Sequence, residues 1–197
     1  MEVSRWHLGL DRSVIQDGTY QDFHRGQQAA FPVEVSSEVW QHVEGGSTTA
    51  AVRVEGCLYE LVARVDAALG EAWVLDCGLL VTARERPPDG VAAGQWLRGR
   101  ARLGVGPRPQ EPLVEGTAPA DYTWFVERVF HRVADDAGLG DLALGLGSDL
   151  AGLYGGPEEP GWEELAFTDA WGDDDGEAEY LLECLLVTEE ALSSGWA

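Results

Sequence analysis

The residues with the clearest chemical potential lie on one face of the segment 94–105. Aromatic and cationic side chains occupy alternate positions there, namely Trp96, Arg98, Arg100 and Arg102. Apolar side chains fill positions on the opposite face, namely Leu97, Ala101, Leu103 and Val105. This period of two predicts a half-buried strand. We call its polar side, from Trp96 to Arg102, the Arg face, and we expect Arg64 to lie beside it.

Three interpretations of the Arg face are open. Indole and guanidinium groups on one strand can stack on bases and neutralise the phosphates of a single-stranded nucleic acid. Trp and Arg are also the residue types that dominate hot spots at protein interfaces. Alternatively, the arginines pair with carboxylates on an adjacent strand, because the chain carries 35 acidic residues that need counter-charges.

Charge is distributed very unevenly along the chain. All 13 basic residues are arginine and fall within residues 1–134, which also hold 18 acidic residues, whereas residues 135–197 hold 17 acidic residues and no basic one. The densest acidic stretch contains Asp173, Asp174, Asp175, Glu177 and Glu179. A region this negative repels nucleic acid and attracts basic partners. The alternative is a solvated surface that keeps the protein soluble.

Common catalytic and ligand-binding motifs are missing from the sequence. There is no GxxxxGK, GxSxG or HExxH motif, and no CxxC or His spacing typical of zinc ligands. The run at 173–176 resembles part of a calcium loop, but Trp171 and Leu182 stand where that loop needs its first and last carboxylates. The sequence therefore predicts no cofactor and no metal site. The cysteines, which are Cys57, Cys77 and Cys184, are expected to be reduced and buried.

Glycine and proline recur every 10–20 residues, which is typical of short strands. Asp17-Gly18 is a candidate hairpin turn, and the segments 57–65, 73–82 and 94–105 are expected to be strands. The pattern of 57–65 also fits a helix, but its short length and its neighbours favour a strand. Residues 121–134 fit either an amphipathic helix or a long strand, and we slightly favour the strand because Tyr, Thr, Trp, Phe and Val dominate it.

The stretch Leu75-Asp76-Cys77-Gly78, followed by Gly94-Gln95-Trp96-Leu97-Arg98-Gly99, resembles a small OB-fold-like barrel. The resemblance covers about 29–106 and consists of strands separated by an Asp-x-Gly turn and a further glycine. It implies a barrel whose face and loops bind an oligonucleotide, an oligosaccharide or a protein. The strong acidity of the chain departs from the nucleic-acid-binding members.

The predicted fold is therefore mainly β. We expect a small OB-like antiparallel barrel or sandwich, few short helices and a C-terminal acidic β-hairpin. The barrel-like body spans 1–137, and a Gly-rich connection spans 138–161. The acidic hairpin spans 162–197, with arms at 165–171 and 179–187, and packs on the same domain.

The leading functional hypothesis is a non-enzymatic binding protein whose acidic face meets a basic partner protein. An inhibitor-like or immunity-like role would suit this charge by analogy only. The second hypothesis is an OB-like binder of single-stranded nucleic acid that uses the Arg face. The third is an enzyme whose site is assembled only in the fold. No apolar stretch approaches the length of a membrane span, and the first residues lack the order of a signal peptide, so we expect a cytoplasmic location.

Overall fold

The protein is mainly β, as the sequence predicts. The computed structural model describes residues 4–44, 48–69, 72–107, 121–132, 161–172 and 179–187. The elements in these ranges are β1 (Arg5–Asp11), α1 (Ser13–Gln16), β2 (Gln28–Phe31), β3 (Val33–Val43), β4 (Ala50–Glu55), β5 (Leu58–Leu69), β6 (Ala72–Asp76), β7 (Leu80–Ala83), β8 (Trp96–Val105), β9 (Tyr122–Arg132), β10 (Trp162–Leu165) and β11 (Glu179–Leu186).

Five strands close into a small barrel. β5, β6 and β7 form an antiparallel meander, and β8 returns to pair with β5, which is the Greek-key order. β3 closes the ring because it pairs with β7 in parallel and with β8 antiparallel. The predicted small barrel is therefore confirmed, and its strands lie within the range of the OB-like resemblance. β4 extends the sheet beyond β5.

β5 is long enough to pair with strands on both of its sides. Its first half pairs with β8, and after a bulge near Val65 its second half pairs with β6. Leu61, Ala63 and Val65 point into the core and are fully buried, whereas Leu58 and Val62 are only partly buried. This alternation is that of a strand, so the strand prediction for 57–65 is confirmed and the helical alternative is wrong.

A second layer of sheet packs against the barrel. β1 pairs with β11, β11 pairs with β9, and β2 and β10 both pair with the far edge of β9. This layer joins the barrel where Gly9 of β1 meets Gly104 of β8 in parallel. A Cβ atom at Gly104 would lie 3.0 Å from the carbonyl oxygen of Gly9, so the glycine at 104 permits this close approach of the two backbones, while a Cβ atom at Gly9 would lie 3.0 Å from Cys57 Sγ. The buried side chains of the two layers form one hydrophobic cluster.

Two local predictions need correction. The acidic hairpin is wrong in its pairing. Only Leu165 of the predicted arm at 165–171 belongs to a strand, β10, and β10 and β11 lie on opposite edges of β9 and do not pair with each other. β9 separates them because Trp124, Val126 and Val129 anchor it in the core, which leaves both of its edges open to partners. The Asp17-Gly18 hairpin is also wrong: α1 ends at Gln16, Asp17 is its C-cap, and Gly18 has the positive φ of 82° that follows. The strand preferred for 121–134 is confirmed as β9.

Candidate functional site

The Arg face lies on the outer surface of the barrel, as the alternation along β8 predicts. Arg98, Arg100 and Arg102 are exposed, while Leu97 and Leu103 on the opposite face are buried. Glu60 of β5 stands opposite Arg100 in register. Arg100 donates hydrogen bonds to Glu60 Oε1 from Nε at 3.2 Å and from Nη2 at 3.0 Å. Part of the face is therefore paired within the molecule, as the third interpretation expects.

One carboxylate serves two arginines on this face. Arg98 Nη2 lies 3.6 Å from the other oxygen of Glu60. The hydrogen bond and charge of Arg100, followed by the charge of Arg98, hold the pKa of the Glu60 carboxyl below its ordinary value. Arg102 lies 3.9 Å from Cys57 Sγ, and no carboxylate of the described residues forms an ion pair with it. Two of the three guanidinium groups thus share the single negative charge of Glu60.

The structure separates the remaining two predicted residues from these three. Arg64 pairs with Asp66 at 3.6 Å, near the point where β5 passes from β8 to β6. Trp96 is half-buried at the beginning of β8, opposite Val43 and Arg64. Neither side chain lines the groove that contains the other arginines. The Arg face is therefore a three-arginine surface with the tryptophan at its end.

An open groove of about 610 Å³ follows this surface, and we call it the Arg groove. Arg98, Arg100, Arg102 and Glu60 line it, together with the apolar side chains of Val39 and Leu58. A bulge in β3 forms one side of the groove, where the Ser37 hydroxyl donates a hydrogen bond of 2.8 Å to the carbonyl oxygen of Arg100. The groove thus lies on hydrogen-bonded strands, and its lining combines cationic with aliphatic side chains.

The predicted acidic interface is only partly within the described residues. Asp173, Asp174, Asp175 and Glu177 lie outside them, and Glu179 begins β11. Arg132 of β9 donates a hydrogen bond of 2.7 Å to Glu179 Oε2, so this carboxylate is held by the body of the protein. Glu164 and Glu183 are also paired with arginines, including Arg128, which lies between them.

Two exposed aromatic residues beside the acidic stretch were missed by sequence reasoning. Trp171 is 67% exposed and comes just before the run that begins at Asp173. Phe167 is also exposed, and its ring stacks on His24 with the centroids 5.4 Å apart. The sequence marks this position only by placing a tryptophan next to a run of carboxylates. No local pattern distinguishes an exposed tryptophan from the buried ones.

The segment that carries these aromatic rings is held firmly from beneath. Thr168 is fully buried, and its hydroxyl donates to Asp22 Oδ1 at 2.9 Å while accepting from the Phe23 N–H at 2.9 Å. The Ala170 N–H donates to the same Asp22 oxygen, and Gln16 Nε2 donates to the Ala170 carbonyl at 2.7 Å. Trp171 therefore follows directly on a stretch of backbone that is fixed by hydrogen bonds.

The three cysteines are free, as predicted, but they are not equally buried. Cys77 and Cys184 are in the core, whereas Cys57 is only half-buried, at the beginning of β5 beside the Arg groove. Burial raises the pKa of Cys77 to about 11 and raises that of Cys184 as well. Both core thiols are therefore neutral at physiological pH and poor nucleophiles.

The fold defines a mainly-β protein built on a closed five-stranded barrel. Comparisons of the chain with protein-family models, with curated proteins and with solved structures find no match. Within the described ranges, no group of His, Cys, Asp or Glu side chains converges in a way that could hold a metal ion. No helix in the same part of the chain has the length and apolar content needed to cross a bilayer.

Proposed function

We propose that this protein is a non-enzymatic interaction protein that binds a basic partner protein through an acidic surface centred on Trp171. The observation that carries this proposal is the exposure of Trp171 on a firmly bonded backbone next to the densest acidic run of the chain. Large exposed aromatic side chains are the usual anchors of protein interfaces. The carboxylates around such an anchor select a partner of opposite charge and speed its approach.

The balance of charge supports the same partner. The described residues contain 19 acidic residues and 12 arginines, so most of the net charge of −22 belongs to the rest of the chain. Glu164, Glu179 and Glu183 are already paired with arginines of the body. A basic partner would therefore meet the other acidic residues of 135–197 rather than these three carboxylates. We also propose a cytoplasmic setting, which the three free cysteines support because thiols stay reduced there.

Affinity capture tests this proposal. The full-length protein is immobilised and exposed to a nuclease-treated lysate of the source cell, and bound proteins are identified at about 0.1 M and about 0.5 M salt. We expect a basic protein that is retained at the lower salt concentration and released at the higher one. An acidic partner, or retention that does not respond to salt, would contradict the proposal.

A matched pair of variants then locates the interface. Trp171→Ala should lower the affinity for the captured partner roughly 30-fold, as expected for an interface hot spot. Thr123→Ala is the control, because Thr123 is an exposed residue of β9 that belongs neither to this surface nor to the Arg groove. Equal affinity of the wild type and the Trp171 variant would refute the assignment of this surface.

A further inference from the structure

Exposed apolar side chains define a second surface, away from Trp171. Among the described residues, the large hydrophobic side chains that are clearly exposed fall into two groups. Phe167 and Trp171 belong to the acidic surface, whereas Val39, Val52 and Val54 lie on strands of the barrel sheet. Single exposed apolar residues need no explanation. A group of them beside a cationic groove does indicate a contact surface.

The register of the strands places these valines beside the arginines. Val52 of β4, Glu60 of β5, Arg100 of β8 and Val39 of β3 follow one another across the sheet, each opposite the next. Residues paired in this way point to the same face. Val39 is 64% exposed and Val52 is 62% exposed, so an apolar side chain borders each side of the charged centre. A partner lying on this face would therefore cover both cationic and aliphatic groups.

The charge of the Arg groove is opposite to that of the protein as a whole. Arg98, Arg100 and Arg102 contribute three positive charges, and Glu60 contributes one negative charge. Each guanidinium is a planar fork that fits a carboxylate through two hydrogen bonds. Glu60 pairs with the guanidinium groups of Arg98 and Arg100, while the guanidinium group of Arg102 pairs with no carboxylate among the described residues. The groove thus has donor groups left for an anionic ligand.

We propose that the outer face of β8, together with β3, β5 and β4, is a docking surface for an acidic polypeptide segment in an extended conformation. The three arginines stand two residues apart along a strand, which is a repeat of about 6.6–6.8 Å. An extended polypeptide presents every second side chain at the same repeat. Carboxylates at alternate positions of the segment therefore meet successive guanidinium groups, while Val39 and Val52 contact its flanks.

The groove fits a polypeptide better than a single-stranded nucleic acid. Proteins that bind single strands combine a cationic groove with aromatic rings on which bases stack. The side chains that line the Arg groove include no aromatic ring, and Trp96 is half-buried beyond its end. Valine and leucine side chains instead offer aliphatic contacts of the kind that polypeptides use.

Glu60 gives the proposal a distinctive consequence. Its carboxylate holds Arg98 and Arg100 in the unbound protein, so an incoming carboxylate must compete with it. Replacing Glu60 by glutamine removes the competitor and adds one unit of positive charge to the groove. Glu60→Gln should therefore strengthen binding, whereas a merely structural role of this ion pair gives no gain.

The test uses the full-length protein and a labelled octapeptide in which Glu and Thr alternate. The control peptide has the same composition, with the four Glu residues before the four Thr residues. Binding is followed by fluorescence anisotropy at low salt. We expect the alternating peptide to bind more tightly than the control, and Arg98→Gln/Arg100→Gln/Arg102→Gln to weaken it more than about tenfold. Arg86→Gln, an exposed site outside the groove, should leave it unchanged.

Three results would overturn the proposal. They are equal binding of the two peptides, equal binding by the wild type and the triple variant, and tighter binding of a twelve-nucleotide oligothymidylate than of the alternating peptide. If the triple variant does not fold, Arg102→Gln alone and Glu60→Gln decide the question. Loss of affinity in the first and a gain in the second support the docking surface, and unchanged affinity in both refutes it.

Discussion

Tyr59 connects the barrel to the second layer of strands through its hydroxyl group. Its hydroxyl, on β5, accepts a hydrogen bond of 2.7 Å from the backbone N–H of His7 on β1. The side chain is 3% exposed, and its ring lies 5.8 Å from that of Trp6. Tyr59→Phe keeps the ring and removes only the acceptor of that N–H. We expect the free energy of unfolding at pH 7 to fall by about 1–3 kcal/mol.

The effect of this variant should depend on pH in a calculable way. Burial raises the pKa of Tyr59 from 10 to about 12. Because the pKa is higher in the folded protein, the stability due to the neutral hydroxyl is complete below pH 10 and is lost as the pH rises through about 12. The free energy of unfolding should fall by about 1.4 kcal/mol at pH 11. Well above pH 12 the fall should reach about 2.7 kcal/mol, because the two pKa values differ by about two units. Phenylalanine has no such dependence.

Urea denaturation of the wild type and of Tyr59→Phe, followed by tryptophan fluorescence at several pH values from 7 to 11, measures this difference directly. The gap in unfolding free energy between the two proteins should be constant up to about pH 9. It should then shrink by about 1.4 kcal/mol at pH 11. Other groups that titrate in this range affect both proteins alike. A gap of the same size at pH 8 and pH 11 would refute the assignment of a buried, neutral hydroxyl to Tyr59.

Two further predictions concern the acidic surface and its anchoring. Thr168→Val keeps the shape of a fully buried side chain but removes both of its hydrogen bonds, so the free energy of unfolding measured by urea titration should fall by about 1–3 kcal/mol. The same variant should weaken the binding of any partner that contacts Trp171. Unchanged stability would contradict these hydrogen bonds. The hydrogen bond and charge of Arg128 keep the pKa of Glu164 below its ordinary value, and the stability this gives is present above about pH 4.5 and lost as the pH falls through the lowered value. Arg128→Gln should therefore destabilise the protein more at pH 7 than at pH 3 in thermal unfolding, and an equal loss at both pH values would count against the pair.

The local parts of the fold could be predicted from the sequence, and the pairing of distant strands could not. The alternation in 94–105 identifies the strand, its buried face and its exposed arginines, because side chains of a strand alternate between two faces. The same local signal identifies strands in 57–65 and 121–134. It does not say which strands become neighbours. The hairpin assigned to 162–197 is wrong for this reason, since β10 and β11 both pair with β9, and the paired residues are 30 to 62 positions apart in the chain.

For the candidate sites, too, the sequence shows local patterns but not the contacts between distant strands. The sequence identifies Arg98, Arg100 and Arg102 as one face, but it cannot show that Glu60 neutralises two of them, because that depends on the register of β5 against β8. It also groups Trp96 with the arginines, although the groove excludes it. Trp171 was missed because its exposure depends on what packs against the side chain in the fold, which no local pattern of the sequence shows.

The pairing of the first strand with the last has a consequence for how the chain folds during synthesis. The five barrel strands all lie between Val33 and Val105, so the barrel can close while the ribosome is still making residues 135–197. β1 has little partner in the barrel beyond the contact at Gly9, and its main neighbour, β11, begins at Glu179. Contacts between residues so far apart in the chain form slowly. The side chains of Trp6, Leu8 and Leu10 in β1 therefore become fully covered only after β11 has been synthesised, and until then they are open to misassociation in the cell.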